Sequence, residues 1–226
     1  MSKYFIGISL ICLLVISIGC SKQENELIYP KPIERLQIGK IKTVVILGNS
    51  IVRSSPSPGI GWYGDWGMAA SKIDSDFVHI LIRNIQVKDK NTLIKFKNIA
   101  NFETDFMQFP LSSLDSLRNA DFIIIKIAEN VEAGGVNYQK FITQYDELIR
   151  YLDPSNKAVK LVVDGFWKRE PVNTDIRNYA LGKKYPLISI TDLSSLSSNK
   201  GLAGHPTDQG MREIANRIWN YMSNYF

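Results

Sequence analysis

The feature of the sequence that most constrains its fold is the run at residues 44–47, which is continuous, apolar and mostly β-branched. Such a run is typical of a strand buried on both faces of a parallel sheet. It ends at Gly48-Asn49-Ser50, three small residues suited to a tight turn. Ligands bind beyond the carboxyl ends of strands in open α/β sheets, so the Ser50 hydroxyl is a candidate nucleophile. A strand that ends in a polar turn without catalytic function is the alternative at this point.

The first twenty residues have the organisation of a secretory signal. Lys3 precedes an apolar stretch at 4–18 that is short for a transmembrane helix, and Gly19-Cys20 and a polar segment follow it. A small residue directly before a cysteine resembles a bacterial lipoprotein signal, cleaved before Cys20 and lipidated on it. Ser17 departs from the aliphatic residue that is usual at its position. The alternative is an uncleaved N-terminal anchor.

This resemblance predicts three segments: a lipoprotein signal peptide at 1–19, a lipid-anchored tether at 20–40 and one domain at 41–226. The tether is polar at first and contains two prolines without helical periodicity. With either kind of anchor, we expect the protein in the cell envelope, outside the cytoplasm. The lipid would hold it to the outer membrane or to the cell surface of a bacterium.

Cysteine content and charge exclude several classes of function. Cys12 would leave with the signal peptide, so the mature chain would keep Cys20 alone, without a disulfide framework or a cysteine nucleophile. No Cys, His and carboxylate cluster has metal-ligand spacing, and we expect an enzyme without metal or other cofactor. The formal net charge of +5 at pH 7 is mild for 226 residues. Because no basic run or Arg/aromatic motif accompanies it, we expect no nucleic-acid partner.

Strand and helix patterns alternate along the rest of the chain. The patterns predict strands at about 43–48, 92–99, 120–127, 159–163 and 187–190, and helices ending near 83, at 111–117, 139–152 and 175–181, and after Pro206. This alternation predicts one three-layer α/β/α domain, flavodoxin-like, with a five-stranded parallel sheet.

Polar groups follow the predicted strands at one edge of the sheet. Asn98-Ile99-Ala100 follows the second strand and Ala128-Glu129-Asn130 the third, and His205 precedes the last helix. With Gly48-Asn49-Ser50, these segments resemble the four blocks of the SGNH, or GDSL-type, hydrolase superfamily: Gly-Asp-Ser, Asn-x-Gly, Gly-x-Asn and Asp-x-x-His. The resemblance covers about residues 42–224 in the right order.

The chain departs from the superfamily pattern at four positions. Asn49 stands where aspartate is usual, Ala100 and Ala128 stand where glycines are usual, and Leu202 stands where an aspartate should precede His205 by three residues.

The resemblance implies a role for each matching residue. Ser50 would be the nucleophile and His205 the base that takes its proton. The backbone N–H groups of Ser50 and Ala100, with the Asn130 amide, would form the oxyanion hole. Because Leu202 has no carboxylate, the partner of the His205 imidazole is open. We favour the Leu202 carbonyl or a Ser–His dyad, and the alternatives are Asp164, Asp192 and Asp208, of which the first two end strands.

The remaining residues with side chains suited to catalysis or binding are interpreted as structural. His79 lies inside an amphipathic helix, and Glu129 is interpreted as a loop carboxylate rather than a catalytic acid. Trp62, Tyr63 and Trp66 could form a sugar-stacking platform, but packing of a helix start against the sheet is the favoured interpretation.

The resulting prediction is a serine ester hydrolase that works through a Ser50 acyl-enzyme. By analogy with extracytoplasmic superfamily members, the expected substrate is an acylated small molecule or glycan, with a small acyl group on a carbohydrate as the first expectation. One rival is a non-catalytic glycan-binding lipoprotein that kept the fold, which the Leu202 departure favours. The other is an acyltransferase that passes the acyl group to a glycan hydroxyl instead of water.

Overall fold

The computed structural model describes residues 41–226, so the predicted signal peptide, Cys20 and tether lie outside the described residues. Five strands form one parallel sheet in the order β2-β1-β3-β4-β5, which confirms the flavodoxin-like prediction. The strands are β1 (Thr43–Gly48), β2 (Leu93–Asn98), β3 (Phe122–Lys126), β4 (Val159–Val163) and β5 (Leu187–Ile188).

Helices cover both faces of this sheet. They are α1 (Phe77–Lys88), α2 (Ala100–Thr104), α3 (Phe141–Leu152), α4 (Val172–Lys183) and α5 (Asp208–Met222), and short 3₁₀ segments, including Leu111–Leu117, join them to the strands. Within 41–226, no helix combines the length and apolar character that a membrane crossing requires.

Alternate residues of the central strand enter two separate cores. Val44 and Ile46 pack with α1 and α5 on one face, and Val45 and Leu47 pack with α3 and α4 on the other. All four side chains are fully buried, as the continuous apolar run requires. The two cores are the physical basis of the three-layer architecture.

Asp76 sets the start of the first helix, for which the sequence pattern gave only an approximate end. Asp76 caps α1 by accepting the His79 N–H (2.7 Å), and it also accepts the Gly67 N–H (2.9 Å) from the preceding loop. The predicted end near residue 83 is too early, since apolar residues continue the buried face to Ile85 and the helix ends at Lys88. The His79 ring also binds Asp76 (2.8 Å), consistent with its interpretation as structural.

The two edge strands differ from the interior strands. β5 is only two residues long. Along β2 at the other edge, Lys95 and Lys97 donate to carbonyls of the 3₁₀ segment, Ser116 O (2.6 Å) and Ser113 O (2.7 Å).

Between the edges, the chain leaves β1 for β2 on one side and returns to β3 on the other. This reversal opens a crevice at the carboxyl ends of β1 and β3, the usual place for a ligand in such a sheet.

Candidate active site

Ser50 lies in the tight turn that follows β1. The turn closes through the Asn49 carbonyl, which accepts the N–H groups of Val52 (2.9 Å) and Arg53 (3.1 Å). Glycine is required at position 48, since a Cβ there would approach Val52 Cγ2 to 2.4 Å and the Lys126 carbonyl oxygen to 2.7 Å. The turn thus holds the Ser50 side chain at the crevice.

The structure brings Ser50 and His205 together although 155 positions separate them in the sequence. Ser50 Oγ lies 2.8 Å from His205 Nε2. On the other side of the ring, Nδ1 lies 3.2 Å from the Leu202 carbonyl oxygen. A carbonyl only accepts, so Nδ1 carries the proton and the Nε2 lone pair accepts the serine O–H. This tautomer is the one that general-base activation of a serine needs.

A short loop before α5 aims the Leu202 carbonyl at the ring. Ala203 and Gly204 both have left-handed backbones, with φ of 50° and 76°, and the His205 N–H also donates to Leu202 O (3.0 Å). Trp167 braces the loop by donating from Nε1 to Gly204 O (2.8 Å), and its ring meets the His205 ring edge-on at 5.2 Å between centroids. The loop conformation therefore supplies the acceptor that the usual aspartate would provide.

Burial lowers the pKa of the His205 imidazole. His205 is 7% exposed, and desolvation lowers its pKa below the usual 6.5, although the Leu202 and Ala203 carbonyls act in the opposite direction. The ring is consequently neutral, and able to accept a proton, at neutral pH.

The three aspartates considered as partners of His205 have other partners. Asp164 is fully buried and binds Arg177 (2.7 Å) and the Ile190 N–H (2.7 Å) at the far side of β4. Asp192 forms a two-pronged pair with Arg217 (2.6 and 2.7 Å). Asp208 binds the Ser71 N–H and hydroxyl, both at 2.6 Å. These alternatives are corrected: hydrogen bonds elsewhere hold all three carboxylates, and Leu202 O is the group at Nδ1.

The backbone N–H groups of Ser50 and Ala100, two of the three predicted oxyanion donors, differ in whether they are available to a ligand. No acceptor within 41–226 takes the Ser50 N–H, so it can donate to a ligand. The Ala100 N–H, however, donates to Asn98 Oδ1 (2.8 Å). Asn98 makes this turn because asparagine side chains readily bind the backbone two residues on. The expectation of a free Ala100 donor is therefore corrected.

The third predicted donor, Asn130, lies beyond the end of β3. Its Nδ2 donates one N–H to Glu103 Oε2 (2.5 Å). An amide nitrogen carries two hydrogens, and within 41–226 the second N–H has no acceptor, so it can donate to a ligand.

No family model and no curated protein matches this sequence, but solved structures do. A psychrotrophic esterase, EstA from Pseudoalteromonas sp., shares 13% identity at a TM-score of 0.58, over 81% of this chain and 98% of that one. The chain has the SGNH hydrolase fold.

Two further solved structures have this fold. A GDSL-like lipase described as putative, from Bacteroides uniformis ATCC 8492, shares 16% identity at a TM-score of 0.55, over 84% of this chain and all of that one. A two-domain esterase (CEX) active on acetylated mannans shares 16% identity at 0.56, and the match covers 83% of this chain and half of that one.

A buried charged network lies below the turn that holds Ser50, and it suits an amide rather than a carboxylate at position 49. Asn49 is fully buried and donates from Nδ2 to two carboxylates, Glu103 Oε1 (3.0 Å) and Glu129 Oε2 (2.5 Å). Lys126, also fully buried, pairs with Glu129. An aspartate at position 49 would put a third carboxylate against these two, whereas an amide donates to both.

The two glutamates of this network are held in different electrostatic surroundings. Burial raises the pKa of Glu103 to about 7, helped by the nearby Glu129 charge and opposed by the Asn130 and Asn49 amides and by Lys126. Burial acts the same way on Glu129, but the charge and hydrogen bond of Lys126 outweigh it and lower its pKa. Glu129 is thus the ionised partner of Lys126.

Sequence reasoning missed this network. Glu103 lies in α2, a five-residue helix that the patterns did not predict, and Glu129 was interpreted as an ordinary loop carboxylate. One signal was present: Lys126 interrupts an otherwise apolar strand, and a lysine inside a buried strand requires a carboxylate partner. Trp167, beside His205, had no comparable signal.

Trp62 and Trp66 lie in the loop before α1, which begins only at Phe77, and they pack against each other rather than as part of a helix start. Trp62 is 6% exposed, meets Trp66 edge-on (5.5 Å between centroids) and donates to Ser54 O (3.1 Å). Trp66 donates to Ala70 O (2.9 Å). Tyr63 is exposed.

A cleft of about 180 Å³ is lined by Glu103, Asp105, Phe106, Glu132 and Tyr138, among others, but by neither Ser50 nor His205. In the part of the chain that the structure describes, no group of three or more His, Cys, Asp or Glu side chains could hold a metal ion.

Proposed function

We propose that the protein is a serine esterase that hydrolyses an oxygen ester through a Ser50 acyl-enzyme. The observation that carries this proposal is the Ser50 Oγ to His205 Nε2 contact of 2.8 Å, with the opposite ring nitrogen held by Leu202 O. A hydroxyl is a weak nucleophile until a base removes its proton, and a buried neutral imidazole in contact with it is suited to that task.

In the proposed reaction, Ser50 Oγ attacks the ester carbonyl carbon while its proton passes to His205 Nε2. The carbonyl oxygen becomes an oxyanion, which accepts hydrogen bonds from the Ser50 N–H and the free Asn130 N–H. When the tetrahedral intermediate collapses, the alcohol leaves with the proton from Nε2. Water then attacks the acyl-enzyme with His205 again acting as base, which releases the acid and restores Ser50.

For the substrate we propose a small acyl group, such as acetyl, on a carbohydrate. One solved structure of the same fold is an esterase active on acetylated mannans, which supports this class of substrate.

Serine-directed labelling tests the proposed function. A fluorophosphonate should label the parent protein covalently on Ser50, and Ser50→Ala should remove the label completely. Ser113→Ala, which changes a serine in the 3₁₀ segment, is the matched control and should label like the parent. A folded parent that takes no label would instead support the alternative, a non-catalytic glycan-binding lipoprotein. The lack of a carboxylate partner for the His205 ring favours that alternative.

Products distinguish hydrolysis from transfer. With an acetylated oligosaccharide, a hydrolase releases acetate in proportion to ester lost. An acyltransferase conserves the ester by moving it to an added glycan hydroxyl, and that outcome would contradict the hydrolase proposal.

We further propose that lipid on Cys20 anchors the protein to a bacterial membrane outside the cytoplasm, as the Gly19-Cys20 signal suggests. Mass spectrometry of the mature N-terminus should find an acylated Cys20 as the first residue. More than one acyl chain is expected, because a single chain binds a bilayer only weakly. A soluble product cleaved elsewhere, with Cys20 unmodified or absent, would contradict the proposal.

A further inference from the structure

The Glu103 carboxylate lies where the two strand ends of the site meet. It is 1% exposed and accepts three donors: Oε1 takes the Ala128 N–H (2.6 Å) and Asn49 Nδ2 (3.0 Å), and Oε2 takes Asn130 Nδ2 (2.5 Å). These contacts connect α2 to the turns after both β1 and β3.

The bond to Asn130 determines which way its amide faces. A carboxylate only accepts, so the nitrogen of the amide, and not its oxygen, must face Glu103. One N–H is thereby fixed, and the direction of the second follows from the planar geometry of the amide. The bond to the Ala128 N–H pins the backbone two residues before Asn130 at the same time.

We propose that Glu103 is a positioning residue that orients Asn130 to stabilise the oxyanion. This inference rests on the proposed function of Ser50. It gives a role to a buried carboxylate that takes no part in the reaction itself. Glu103 acts through Asn130 and touches no reacting atom.

The proposal has a consequence for pH. Glu103 is faced by the carboxylate of Glu129, the ammonium of Lys126 and the two amides, and Asp105 and Glu132 line the adjoining cleft. Its pKa of about 7 means that it takes up a proton as the pH falls through neutrality. The resulting O–H must donate, but the Asn130, Asn49 and Ala128 groups in contact with it are donors. The hold on Asn130 therefore weakens below about pH 7.

This loss is separable from the titration of His205. Protonated His205 cannot accept the serine proton, so its own loss of activity falls below its ordinary pKa of 6.5. The parent should thus lose kcat/KM in two stages as the pH falls, the first near pH 7 from Glu103 and the second lower from His205.

The first test leaves Glu103 unchanged. We expect the profile of kcat/KM against pH, measured with an activated aryl acetate, to show the stage near pH 7 in the parent. Asn130→Ala should lower the overall rate and lack that stage, because no amide remains to be oriented. A stage near pH 7 that persists unchanged in Asn130→Ala would overturn the proposal.

The second test changes Glu103 itself. Glu103→Gln turns an NH₂ toward one of the three donors and should lower kcat about 10- to 100-fold with KM within about twofold, since only the transition state needs the oxyanion donor. Glu132→Gln makes the same chemical change in the same cleft without a bond to Asn130 and should act like the parent.

A double-variant cycle separates positioning from a general structural effect. In the Asn130→Ala background, Glu103→Gln should cost less than about twofold in kcat, since the group it acts through is gone. Full additivity would overturn the proposal. If Glu103→Gln fails to fold, the pH comparison of the parent with Asn130→Ala decides alone.

The outcomes distinguish this inference from the proposed function. A parent that a fluorophosphonate labels on Ser50, but whose pH profile and double-variant cycle show no coupling, keeps the esterase and refutes the role of Glu103. A folded parent that is neither labelled nor active refutes both.

Discussion

Replacing His205 with alanine should lower kcat on an activated aryl ester by about 10⁴-fold or more, because the proton of Ser50 then has no acceptor. Leu202→Ala should keep most of kcat, since the group at position 202 that bonds the ring is its backbone carbonyl, which the variant retains. Steady-state kinetics of purified, folded variants would measure both effects.

Aspartate variants provide the matched controls for the carbonyl interpretation. Asp192→Asn and Asp208→Asn each remove a charge that is bound elsewhere, to Arg217 and Ser71, and both should keep near-parental kcat. Asp164→Asn should lower stability, since it breaks a buried contact with Arg177, while the folded fraction keeps its kcat. A loss near 10⁴-fold at any one aspartate, without unfolding, would show that it orients the imidazole.

The second large effect is on stability. Asn49→Asp should lower the free energy of unfolding by about 3 kcal/mol or more at pH 8. The variant exchanges an amide that donates to two buried carboxylates for a third carboxylate in contact with them. Urea unfolding, followed by tryptophan fluorescence, would measure the loss.

The sign of the pH dependence identifies the cause of that loss. The new carboxyl would have a folded-state pKa raised above its unfolded value, so its ionisation destabilises the folded protein. The deficit should therefore shrink as the pH falls from 8 toward 5 and a proton is shared within the cluster. Asn178→Asp, an exposed change in α4, should cost little at either pH, and an equal cost at the two sites would contradict the explanation.

The fold was predictable because its signals are local and strong. The interior strands are apolar runs between turn residues, and α3 and α5 have long apolar stripes at helical spacing. The start of α1 was not predictable in the same way, since it depends on Asp76 bonding to a loop. The five-residue α2 is too short for periodicity to reveal.

The site was predictable only where spacing in the sequence carries the information. Ser50, Asn130 and His205 each follow a strand or precede a helix in a recognisable block. The partner of the imidazole could not be read as a residue type, because a backbone carbonyl aimed by left-handed residues at 203 and 204 leaves no mark in side-chain chemistry. Glu103 was missed because its role depends on contacts 25 to 54 residues away in the chain.

The unequal edges of the sheet bear on how the protein behaves in concentrated solution. An open strand with free backbone groups is a template on which another chain can add a strand and begin aggregation. The two residues of β5 provide too short a template for such pairing, and lysines at alternate positions of β2 place charge along the other edge. The same sheet that exposes its carboxyl ends to a ligand thus resists growth sideways into fibrous assemblies.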